Sequence, residues 1–219
     1  MIQTPLTAVL FDLDGVLVQT EPLKAQAHLA ALRHFGGQAS LETYSSLMGR
    51  SHAAVRDGLA EAAAVVVDPD IYTQIYRATL AGLMETRLKL TPGAQALVRS
   101  LVAKGLRLAL VSSSSAAVIE QVLERTGLAP YFAVRVSADD VAHKKPAPEP
   151  YLAALRRLGL PPERALAVED SPAGVRSARL AGLRVIALQH ALNRRQDFTE
   201  AWAVVEGLEQ VEAQLAELL

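Results

Sequence analysis

The chain has 219 residues and no cysteine, which removes disulfides, thiol nucleophiles and thiolate metal sites together. Neither charge is in excess: 22 Lys and Arg stand against 23 Asp and Glu, a formal net charge of -1. A protein held to nucleic acid or to an anionic membrane by its overall charge carries a basic surplus, so neither partner is expected, and any affinity for an anion must be local. No stretch approaches the roughly 20 uninterrupted apolar residues needed to span a bilayer. Met1 to Pro5 lack the charged start and apolar core of a signal peptide, and the first apolar run is short and ends in two acids. These absences lead to the expectation of a soluble, cytoplasmic protein. Internal repeats and low-complexity tracts are also missing. What remains is ordinary globular composition, 51% hydrophobic and 21% charged, with length for one sizeable core or for a core carrying a smaller insertion.

The most informative stretch is Val9 to Leu17, an apolar β-prone run that leads into Asp12 and Asp14 and then turns at Gly15. Side chains at i and i+2 share a face of a strand, so the two carboxylates project toward the same space if the strand geometry persists. Carboxylates that close repel one another unless a cation or a shared proton intervenes. A hard divalent cation such as Mg²⁺, which takes oxygen ligands and substrate phosphate oxygens, resolves the conflict. The plainer alternative is a strand end capped by Asp with an Asp-Gly turn.

Two rhythms divide the rest. From Thr20-Glu21-Pro22, a helix start with proline at its first position, to about Leu90 the pattern is helical. Helices are expected up to Phe35, from Leu41 to Met48, Ala53 to Val65 and Ile71 to Leu88, with Val65 to Val67 read as a helix end. After Thr91-Pro92-Gly93, helix and strand alternate: strands at Leu106 to Val111, Ala133 to Val136, Ala165 to Val168, Arg184 to Leu188 and Ala203 to Val205, with a closing helix from Leu208. Alternation of this kind implies right-handed crossovers and a parallel sheet covered on both faces. The expected architecture is an α/β, Rossmann-like three-layer core made of residues 1–17 and 91–219, interrupted by a helical cap domain at 18–90. Ligands bind at the carboxyl edge of such sheets.

The strand ends carry matching chemistry. Val111 runs into Ser112 to Ser115, hydroxyls and free N–H groups at a helix start, where an anion can sit and where a single serine N-cap is the competing explanation. His143-Lys144-Lys145-Pro146 presents cations in a stiff loop; Lys145, restricted by the following proline, is the choice for neutralising charge on a transferred group, with Lys144 solvated. The strand at 165–168 ends in Glu169-Asp170-Ser171-Pro172, which caps a helix and also offers a second pair of acids for a Mg²⁺ site.

Taken in order, Asp12-Leu13-Asp14-Gly15, Ser112, Lys145 before proline, and Glu169-Asp170 resemble the signature motifs of the haloacid dehalogenase-like hydrolase superfamily. The insertion resembles the helical cap of its β-phosphoglucomutase-like and phosphoglycolate-phosphatase-like branch. That resemblance implies a phosphatase acting on a small phosphate monoester such as a sugar phosphate. Asp12 would be the nucleophile, Asp14 the acid and base, Ser112 and Lys145 the charge-stabilising groups. Mg²⁺ would sit on Asp12, Asp170 and the Asp14 backbone carbonyl, with Glu169 in support. Ser113 is expected to help bind the phosphate. The dehalogenases of the superfamily lack the second aspartate, so Asp14 points to phosphoryl transfer.

In the cap, Gln19 and Lys24 stand where the branch commonly has aspartate and histidine, which weighs against a β-phosphoglucomutase, the alternative activity. A non-catalytic binding protein on the same fold is the third reading. Lys24, Arg50 and His52 are the expected substrate-binding residues of the cap, with Arg77 a further candidate, and His28 is expected at the helix surface. The assembly is expected to be a monomer or homodimer.

Overall fold

The structure, a computed structural model, describes residues 5–216; the sequence reading of Met1 to Thr4 lies outside them. In chain order, β1 (Ala8–Phe11) is followed by α1 (Glu21–His34), α2 (Leu41–Leu47), α3 (His52–Ala62), α4 (Pro69–Arg87), α5 (Ala94–Ala103), β2 (Arg107–Val111), α6 (Ala116–Thr126), β3 (Val134–Val136), α7 (Glu149–Leu158), β4 (Ala165–Glu169), α8 (Pro172–Leu180), β5 (Arg184–Leu188), β6 (Ala203–Val205) and α9 (Leu208–Ala216). These elements form two compact units, one of residues 5–18, 90–190 and 197–216, the other of Gln19–Lys89 and Ala191–Gln196.

The first unit is a Rossmann-like α/β fold on a six-stranded sheet of order β3-β2-β1-β4-β5-β6, parallel at every pairing. β1 lies at the centre, with Phe11 beside Leu110 on one flank and Val168 on the other. Alternation sorts the strands into two faces. Ala8 and Leu10 join Ala109, Val111, Ala165 and Ala167 in one apolar cluster with Tyr151 and Ala154 of α7 and Val175 and Ala178 of α8. Val9 and Phe11 face the other way, where Phe11 meets Phe132 edge-on at 6.2 Å between ring centroids. Left-handed glycines, Gly127 and Gly159, end α6 and α7 and return the chain to the sheet.

In the second unit α1 packs along α4, and Ala31, Leu32, Leu47, Val55, Leu59 and Tyr72 form the core. Asp68 caps α4 by accepting from the N–H groups of Asp70 and Ile71, both at 2.9 Å. Residues 191–196 belong to this unit although no sequence signal pointed there: Leu192 packs on its apolar core, Gln196 Nε2 donates to the Met48 carbonyl at 3.0 Å, and Arg195 pairs with Glu42.

Val65 to Val67 differ from expectation. α3 stops at Ala62, Val65 N–H reaches back to the Ala60 carbonyl, and Ala64 adopts the left-handed conformation (φ 52°) that closes such a terminus. The three valines are an extended connection, with Val66 94% exposed. No helix among the described residues is long and apolar enough to cross a membrane.

Candidate active site

Asp12 prolongs β1 by one residue, its N–H donating to the Val168 carbonyl at 3.0 Å. By parity it follows Ala8 and Leu10, and Glu169 follows Ala165 and Ala167, so both acids emerge on the α7–α8 face at neighbouring strand ends. Lys145, in the loop ahead of α7, reaches the same level. Its ammonium has three N–H bonds and three acceptors: Asp12 Oδ1 at 2.6 Å, the Val111 carbonyl at 2.8 Å and Glu169 Oε1 at 2.5 Å. Its side chain is 6% exposed, while Lys144 is exposed.

Such a buried cluster holds charge only if every group is paired. Tyr151, fully buried on α7, donates its hydroxyl to Glu169 Oε1 at 2.8 Å, and its ring centroid is 5.2 Å from the Lys145 ammonium. Glu169 Oε2 accepts from the Asp170 N–H at 3.2 Å and Ser171 Oγ at 3.3 Å. Glu169 therefore receives four donors. A Cβ at Gly174 would fall 2.0 Å from its carboxyl carbon, which reserves that position in α8 for glycine. Burial pushes the Asp12 carboxyl up to about 7 against the pull of Lys145, with Glu169 and Asp14 adding to the rise. Burial opposes the charge on Lys145, but Asp12 and Glu169 outweigh it and hold that pKa above the ordinary lysine value.

Asp12, Glu169 and Asp170 each bring a carboxylate oxygen within 4.8 Å of the others. Three hard oxygen donors beside one ammonium suit a divalent cation such as Mg²⁺. Glu169 brings to this group a carboxylate that already accepts from four donors. Asp170 is closely held: a Cβ at Gly15 (φ 80°) would lie 1.9 Å from its Oδ2, so the turn after Asp14 admits no side chain. The same Oδ2 accepts from His190 Nε2 at 3.2 Å.

The four side chains of the serine run are placed differently from one another. Ser112 is buried and its Oγ accepts from the Ser114 N–H at 3.1 Å, shaping the loop. Ser114, which the sequence did not single out, donates its hydroxyl to Asp14 Oδ2 at 2.9 Å. Ser113 is exposed. Ser115 stands at the N-cap of α6 without a side-chain cap bond; Asp139 instead accepts from the Ala116 N–H at 2.8 Å. Four consecutive serines give no periodicity that tells them apart, whereas Tyr151 and His190 lay outside every motif that drew attention.

The candidate cap residues belong to the second unit. Lys24 pairs with Glu21 at 2.8 Å, and Glu21 also accepts from the Tyr44 hydroxyl at 3.1 Å. Arg50 and Arg77 are exposed. His52 Nε2 donates to Thr73 Oγ1 at 3.1 Å, because that hydroxyl spends its own proton on the Pro69 carbonyl at 2.7 Å. Its Nδ1 is buried without a partner. His28 is interior rather than surface, 4% exposed, with Tyr76 at 4.2 Å and His52 at 5.0 Å between centroids. Its Nδ1 donates to the Tyr72 hydroxyl at 3.1 Å, which itself donates to the His28 carbonyl at 3.0 Å. Burial, His52 and Lys24 push His28 down to about 3, and burial with Arg56 and Arg77 lowers His52.

The family profile of haloacid dehalogenase-like hydrolases matches residues 9–188. The protein CbbY of Rhodobacter capsulatus is 35% identical over 210 residues, covering 91% of this chain and 92% of the relative. A phosphorylated carbohydrates phosphatase of Thermotoga maritima is 32% identical over 198 residues, covering 90% and 92%. The crystal structure of CbbY from Rhodobacter sphaeroides in complex with phosphate superposes with a TM-score of 0.79 at 30% identity, covering 94% of this chain and 96% of that one. With the motifs on the strand ends of a Rossmann-like sheet and these relatives matched along nearly their whole length, the chain belongs to the haloacid dehalogenase-like hydrolase family.

Proposed function

We propose that the chain is a cytoplasmic Mg²⁺-dependent phosphatase of small phosphorylated carbohydrates that works through a phosphoryl-Asp12 intermediate. The observation that carries this reading is the buried Asp12 carboxylate, fixed by Lys145 and set one residue from an Asp14 that is itself held by Ser114. The substrate class rests on the named activity of the Thermotoga relative.

Asp12 attacks phosphorus; the bond to its oxygen forms as the bond to the alcohol oxygen breaks, so one hard displacement becomes two easier ones. Asp14 gives a proton to the departing alkoxide, then takes one from the water that hydrolyses phosphoryl-Asp12. Ser114 orients Asp14 through these transfers. Lys145, with all three N–H bonds committed, acts by holding the Asp12 carboxylate, and Glu169 with Tyr151 anchors Lys145. The loop from Ser112 offers backbone N–H groups to the phosphoryl oxygens. Mg²⁺ on Asp12, Asp170 and the Asp14 carbonyl, with Glu169 in support, would supply electrostatic stabilisation of phosphoryl charge.

Phosphate release from a panel of sugar phosphates and phosphoglycolate, with Mg²⁺ and with chelator, tests the reading. Release that chelator abolishes is expected. A coupled assay with β-glucose 1-phosphate and a bisphosphate primer runs beside it; isomerisation without release would make the protein a mutase, and neither activity would make it a binding protein.

A further inference from the structure

His190 lies outside the four strand-end motifs. It follows β5, two residues beyond Leu188, and is the last residue of the first unit before the chain passes to residues 191–196. Its Nε2 is 3.2 Å from Asp170 Oδ2, and its side chain is one-quarter exposed. An ionised carboxylate only accepts, so Nε2 must carry the hydrogen and donate. The oxygen it reaches is the one packed against Gly15, where a Cβ would come within 1.9 Å. Asp170 Oδ2 thus meets both an N–H donor and a residue with no side chain. Asp170 is 5% exposed and shares its surroundings with Asp12 and Glu169. Glu169 is held by four donors and Asp12 by Lys145, while Asp170 accepts from a donor that lies outside the motifs.

We propose that His190 is a positioning residue for the cation site: by donating to Oδ2 it restricts the rotation of the Asp170 carboxylate and so holds it ready for a divalent cation. This rests on the reading of Asp12 and Asp170 as Mg²⁺ ligands but not on which substrate is hydrolysed. Outer partners that orient metal-ligating groups typically contribute 10–100-fold in metal affinity. A partner that restricts a carboxylate in this way is felt chiefly in metal affinity and much less in turnover once the metal is saturating.

The test is isothermal titration of Mg²⁺ into the purified protein and its His190→Ala, His190→Gln and His190→Asn variants, with thermal melts in chelator as a check on folding. His190→Ala should weaken Mg²⁺ binding about 10–100-fold, and a variant that keeps an N–H donor, His190→Gln or His190→Asn, should recover most of the loss. In the phosphatase assay the Mg²⁺ concentration giving half-maximal rate should rise in parallel while kcat at saturating Mg²⁺ changes less than about threefold. Mg²⁺ affinity unchanged in His190→Ala overturns the proposal, as does equal damage in all three variants or the absence of Mg²⁺ binding by the native protein. If the affinities behave as expected while no phosphate monoester is hydrolysed, the positioning role stands and the phosphatase reading fails.

Discussion

In the first unit Asp12, Lys145 and Glu169 are buried together in one hydrogen-bonded cluster of acids around an ammonium, whereas the second unit packs a buried His28 and a half-buried His52, both with lowered pKa values, among Tyr72 and Tyr76. Lys145 has three acceptors within 2.8 Å. His28 passes its one proton to a tyrosine that passes its own to a carbonyl, so that interior needs no counter-charge. The difference teaches what each interior is suited for. A charged cluster that is saturated with donors on one side can present a carboxylate to a phosphorus or a cation on the other. A neutral imidazole and phenol network fixes helices α1, α3 and α4 against one another and responds to acid.

Removing the ammonium breaks the comparison most severely. Lys145→Met leaves Asp12 and Glu169 buried without their cation, and truncating one partner of a buried ion pair costs about 3–5 kcal/mol. Urea unfolding should show a loss of that size, and phosphatase activity should vanish with it. A loss under about 1 kcal/mol would mean that the cluster is solvated rather than buried.

The second interior yields to pH. The folded-state value of His28, about 3, lies below its ordinary 6.5, so the unfolded chain takes up the proton first. The stability that depends on a neutral imidazole is complete above about pH 6.5 and is lost as pH falls toward 3, roughly 2 kcal/mol of it by pH 5. Hydrogen exchange of the α1 and α4 amides, corrected for intrinsic rates, should report this loss, and His28→Phe should flatten it. Protection in those helices that stays constant down to pH 5 would show that the imidazole is not held neutral.

The smallest change sharpens the first unit. Ser114→Ala removes one hydroxyl from Asp14 and should lower kcat about fivefold to tenfold, the effect of a hydrogen bond worth about 1–1.5 kcal/mol, with melting temperature unchanged. Ser113→Ala, at an exposed position, should change it far less. Equal effects at the two serines would remove the distinction drawn between them.

The same contrast explains what could be read beforehand. β1, the βα alternation after Thr91 and the acids at strand ends were legible because apolar runs that stop abruptly at Asp12 or Glu169 have no packing explanation. Parity along β1 and β4 then brings the acids to one face without any tertiary information. The placements within Ser112 to Ser115 were not legible, since they depend on which hydroxyl the loop turns toward Asp14. Tyr151 and His190 were missed because a tyrosine on an apolar helix face and a lone histidine after a strand look like packing and surface. His28 was expected at the surface for a related reason: its partner Tyr72 lies 44 residues away in sequence, so no local pattern marks it as interior. Val65 to Val67 resembled a helix end because the residue closing α3 is Ala64 and not the glycine that usually announces such a terminus.

The measurement that bears most directly on the central claim is acid quenching during turnover of a sugar phosphate, followed by mass spectrometry of the peptide that contains Asp12. The native protein should carry a phosphoryl group on Asp12, and Asp12→Asn should carry none and turn over at least about 10⁴-fold more slowly while keeping its fold. Turnover by the native protein with Asp12 unmodified, together with an active Asp12→Asn variant, would contradict the account.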